Sequence, residues 1–99
     1  MNQERKNHLE ATVTRGLEAQ NFLQYMDREP YFKTLFNEID NSYVSTILGL
    51  SPDKTGEFTM LQTKRMALYE PLSRAQYDVS AGQIAADELE NPEGEGGIL

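Results

Sequence analysis

The chain contains no cysteine and no tryptophan, one histidine and four prolines. Without cysteine there is no disulfide framework and no thiolate zinc site, a composition that fits a reducing compartment. The lone imidazole, His8, lies near the N-terminus and has no second histidine with which to share a metal. No serine or lysine stands in a nucleophile motif, and the acids form neither an EF-hand loop nor a Glu-x-x-His pair. Neither an enzyme nor a cofactor is therefore expected. Apolar runs are short as well: none approaches the roughly 20 residues that cross a bilayer. The opening MNQERKNHLEA has no apolar h-region, so a secretory signal is not expected and the site of synthesis is expected to be intracellular.

Basic residues are also scarce. Nine Lys and Arg face sixteen Asp and Glu, for a net charge of −7. The imbalance is local. Asp87, Glu88, Glu90, Glu93 and Glu95 all fall in the last seventeen residues, whereas residues 1–82 carry 11 acids against 9 bases. Non-specific nucleic-acid binding needs clustered Lys and Arg to displace counterions, so the balance argues against it and leaves basic protein surfaces as the better targets.

What is present is helical periodicity. Phe58, Leu61, Arg65, Leu68, Leu72, Ala75, Val79 and Gly82 alternate in steps of three and four, which places all eight on one stripe of an α-helix running to about Glu90. Glu70-Pro71 interrupts it. An interior proline removes the bond to the carbonyl of Ala67, so the spacing predicts one kinked helix whose stripe passes position 71 without changing phase. Gly82 is either a second break or a point of close helix contact.

Before it, Gln3 to Met26 reads as an amphipathic helix with Leu9, Val13, Gly16, Leu17, Leu23 and Met26 on or near one face, widened by Phe22 and Tyr25. Pro30 suits the first residue of a second helix, because its missing N–H would be unpaired there anyway. From there Tyr31, Leu35, Ile39, Tyr43 and Ile47 repeat every four residues, with Phe32, Phe36 and Leu48 beside them. Residues 49–56, GLSPDKTG, form the connector, with Gly49 capping the helix before it and Ser51-Pro52 starting a short turn. Its glycines do not match a phosphate-binding loop. GLEAQNFL at residues 16–23 and GQIAADEL at residues 82–89 share Gly, Ala and Leu at equal offsets, which predicts close antiparallel packing of the two segments through their small residues. The expected architecture is all-α: a helical hairpin or three-helix arrangement over residues 1–90, a long kinked C-terminal helix, and an acidic Gly-rich tail at 91–99.

The density of aromatics in the second helix supplies the first candidate site. Tyr31, Phe32, Phe36 and Tyr43 serve either as core or as a protein-binding surface, where Tyr and Phe are enriched. Tyr69 and Tyr77, interspersed with Lys64, Arg65 and Arg74, have the mixture that stacks on single strands, but Glu70 and Asp78 dilute it and nucleic acid is not the expected partner. Arg65, inside the apolar stripe, is expected to snorkel from its edge. Ile98 and Leu99 close the tail as an apolar tip. The expected partner-binding residues are thus Tyr31, Phe32, Phe36, Tyr43, Tyr69, Tyr77, Ile98 and Leu99.

GLEAQNFL, EPYFKTLFNEI, FTMLQTKRMALYEPL and AGQIAADELE, in that order, resemble small helical proteins encoded among the structural and DNA-packaging genes of tailed bacteriophages. The resemblance implies a non-enzymatic virion component or assembly factor, made in the host bacterial cytoplasm and carried in the virion. Its partners would be other virion proteins or copies of itself, with no membrane and no small-molecule substrate. No functional residue is carried over from that resemblance. The alternative is a small acidic phage inhibitor that occupies a basic groove on a host defence or nucleic-acid enzyme.

Overall fold

A computed structural model describes residues 1–92, and among them every regular element is helical. In chain order these are α1 (Gln3–Arg28), α2 (Pro30–Leu48) and α3 (Thr55–Glu90). The expected Ile98-Leu99 tip and all but the first two residues of the acidic tail lie outside the described residues.

Local chemistry sets the helix ends. Asn2 caps α1, its side-chain oxygen accepting from the Arg5 N–H at 2.7 Å. At the start of α2 Pro30 occupies the first position, and the extended Glu29 before it accepts weakly from the Tyr31 N–H at 3.4 Å. Gly49 caps the other end of α2, bonding to the carbonyls of Ser45 and Thr46 while remaining right-handed, at φ −87°. The connector is shorter than the sequence suggests, ending at Lys54 rather than Gly56, because the Lys54 carbonyl already accepts from Phe58 and opens α3. Pro71 lies within an unbroken α3 and is exposed, as is Ala67, the residue whose carbonyl loses its donor.

The chain divides into two compact units. The first pairs Met1–Gln24 with the chain from Arg74 onward; the second is Tyr25–Ser73, so α1 and α3 each contribute to both.

In the first unit α1 and α3 run antiparallel: Arg5 pairs with Glu88, and Arg15 with Asp78 at 2.9 Å. Between them are buried Leu9, Gly16 and Ala19 from α1, and Ala75, Gly82 and Ala85 from α3. Five of these six are glycine or alanine, so backbones rather than long side chains meet. The expected face of α1 holds at Leu9, Val13, Gly16, Leu23 and Met26. It is corrected at Leu17 and at the two residues expected to widen it, since Leu17 and Tyr25 are each 57 % exposed and Phe22 is also at the surface, while Ala19 takes an inner position.

The second unit packs more loosely. None of its residues is buried, and the inward stripe of α2 comprises half-buried Phe32, Phe36, Ile39, Asp40, Tyr43 and Ile47. Tyr31 and Leu35 lie outside it, contrary to the four-residue repeat. On a helix of 3.6 residues per turn each step of four advances by about 40°, so Tyr31 and Ile47 cannot share one face. From α3, half-buried Leu61, Arg65, Leu68 and Leu72 belong to the same unit, as the stripe of threes and fours predicts, joined by Tyr69 from beside the stripe, whereas Phe58, its expected first member, is exposed in the first turn of the helix.

Candidate interaction surfaces

Within the second unit, Phe32 and Phe36 sit one turn apart on α2 with ring centroids at 5.8 Å. The Tyr69 ring from α3 meets Phe36 edge to face at 4.9 Å, with an interplanar angle of 87°. Such geometry sets the positive ring edge against the negative ring face. Beside it, Arg65 Nε donates to Asp40 Oδ1 at 2.7 Å, and a second guanidinium N–H donates to Oδ2 at 3.4 Å. The guanidinium carbon stands 5.7 Å from the centroid of the Tyr69 ring. Arg65's hydrogen bonds and charge hold the Asp40 carboxyl below its ordinary value of 3.8, and partial desolvation only partly opposes them. In turn, Asp40 raises the Arg65 guanidinium further.

The eight expected partner-binding residues therefore separate into groups. Phe32, Phe36 and Tyr69 are brought together as an internal cluster, and Tyr43 is half-buried on the same helix face as Phe36. Tyr31 and Tyr77 remain at the surface, each 72 % exposed. Ile98 and Leu99 fall beyond the described residues. Of the basic–aromatic mixture on α3, Arg65 is held by Asp40 and Tyr69 packs on Phe36, while Lys64, Arg74 and Tyr77 are exposed. Asp40 is not among the residues expected from the sequence. Its signal was Arg65, since a charge inside an apolar stripe calls for a countercharge on the facing helix.

Two concavities accompany these faces. One, of about 250 Å³, lies at the connector between α2 and α3 and is lined by Ile47, Leu50, Pro52 and Phe58 with Lys54 and Thr55. The other, an open groove of about 100 Å³ on the first unit, has Gly16 and Gly82 along its floor. Among the described residues no group of three or more His, Asp or Glu is placed to hold a metal ion, and no helix is long and apolar enough to cross a membrane. Comparison with protein-family models, curated proteins and solved structures finds no match.

Proposed function

We propose that the chain is a non-enzymatic structural or assembly protein of a tailed-bacteriophage virion, acting through helix-face and tail contacts with other virion proteins. The observation that carries the proposal is the placement of Tyr31 and Tyr77 on continuous helices with most of each ring in water. Large amphipathic rings held on a rigid backbone lose little conformational freedom when a partner covers them. The resemblance of four segments to phage structural and packaging proteins supplies the biological setting, with synthesis in the host cytoplasm and residence in the virion.

Quantitative mass spectrometry of purified particles tests this reading. Many copies per virion are expected, and deletion of residues 91–99 is expected to reduce incorporation while leaving far-UV helicity intact. Absence from the particle would instead favour an acidic inhibitor of a host enzyme. That second reading draws on Asp87 and Glu90, exposed at the end of α3 and able to face a basic groove.

A further inference from the structure

The antiparallel pair in the first unit has two unlike flanks. One carries the ion pairs Arg5–Glu88 and Arg15–Asp78. The other is the open groove above Gly16 and Gly82, walled by Val13, Leu17 and Gln20 of α1 and by Val79, Gln83 and Ala86 of α3. We propose that this open flank is the surface through which two copies of the chain pair, closing two helical hairpins into an antiparallel four-helix bundle.

Spacing is the first reason. Positions 13, 17 and 20 and positions 79, 83 and 86 both advance by four and then three, so each set forms a second seam beside the one that already holds α1 to α3. A helix in a four-helix bundle needs two such seams, whereas a lone hairpin needs one. The two sets also match in chemistry, each offering two apolar side chains and one glutamine. A two-fold axis that sets the α1 seam of one copy against the α3 seam of the other makes the same match twice, as an isologous interface requires.

Charge selects the occupant. No lining residue of the groove is charged. In a symmetric interface every charge near the axis occurs twice, so a neutral lining suits self-pairing. A basic partner helix would find no acid along the groove. The chain's own terminal segment, with Glu93 and Glu95, would find no base there. The area suits a weak pair: a hairpin face about 25 Å long and about 20 Å wide offers ~500 Å² per copy, ~1,000 Å² for the pair, below the ~1,200 Å² of stable interfaces and within the range of transient ones. This inference stands apart from the virion proposal, because self-pairing in solution is read without any particle.

Light scattering on the full chain from about 1 to about 200 µM tests it, since a micromolar equilibrium changes population across that range. A reversible monomer–dimer transition is expected. Leu17→Glu, at a position already 57 % exposed, is expected to weaken the dimer at least about ten-fold with unchanged far-UV circular dichroism. Ile84→Glu, 70 % exposed and turned away from the α1–α3 contact, is expected to leave it within about two-fold. A wild-type chain that is monomeric throughout overturns the proposal, as does a dimer indifferent to Leu17→Glu. If deletion of residues 93–99 converts a monomeric wild type into a dimer, the groove belongs to the chain's own terminus and the proposal also fails.

Discussion

A Cβ built on Gly16 would lie 2.9 Å from the Cα of Gly82 and 2.8 Å from the carbonyl oxygen of Asp78, so α1 and α3 meet backbone to backbone at this pair. Neither obstacle is a side chain that can rotate aside. Gly16→Ala therefore forces the helices apart, at about 1–3 kcal/mol of overpacking against about 1 kcal/mol regained in helix propensity. A net loss of about 1–2 kcal/mol is expected in urea unfolding followed by circular dichroism. Gly82→Ala meets its nearest atoms at 3.0 and 3.3 Å and should cost less. Gly56→Ala meets nothing within 4 Å and should raise stability by up to about 1 kcal/mol. Equal effects at all three positions would deny the close approach.

Asp40 gives the second unit a pH signature. Its folded pKa is depressed below 3.8, so its contribution is present above that value and lost as the pH falls through the lower folded value. Arg65 is raised above its ordinary value, so its own contribution disappears only in strong alkali. Asp40→Asn should lower the urea midpoint at pH 7, and the gap to wild type should narrow as the pH drops below 3.8. The difference between the two chains cancels the titration of the other acids. A gap that persists to pH 2.5 would mean that Asp40 acts through packing rather than charge.

Phe36 and Tyr31 should behave oppositely despite lying five residues apart. Phe36→Ala removes a half-buried ring from contact with both Phe32 and Tyr69. A loss of about 2 kcal/mol is expected, less than full burial would give. Tyr31→Ala and Tyr77→Ala should change stability by no more than about 0.5 kcal/mol yet reduce incorporation into particles. Normal incorporation of the double variant would remove both tyrosines from the proposed contacts.

Pro71 is the place where α3 is weakest by sequence. Because its ring is exposed, Pro71→Ala removes little packing while restoring the donor for the Ala67 carbonyl. The urea midpoint should rise, by an amount corresponding to about 1–3 kcal/mol. A fall would show that the proline is itself needed to seat Leu68 and Leu72.

The stripe from Phe58 to Gly82 could be read directly because steps of three and four remain in phase over many turns, whichever residue occupies each step. The Gly16–Gly82 approach was legible for a related reason, two similar segments sharing small residues. Which bulky residues point inward was not legible from hydrophobicity. Where two glycines draw the backbones together, Ala19, Ala75 and Ala85 fit alongside, Leu9 is buried about two turns away, and Leu17 and Phe22 lie at the surface. On α2 the aromatic load was plain, but a repeat of four drifts around the helix and left Tyr31 outside the cluster. Asp40 was hidden because one acid among sixteen carries no pattern of its own.

The first unit joins residues 1–24 to residues from 74 onward, with the whole of the second unit between them. Its close contacts are therefore the most distant in sequence, and closing the intervening loop carries an entropy cost that local helix formation does not. During synthesis the inner face of α1 has no mate until the ribosome has passed position 74, and Leu9 and Ala19 stay wetted until then. Folding of this hairpin is thereby tied to synthesis of the stretch that follows position 74. A chain stopped short of that point carries an α1 seam open to the wrong helix.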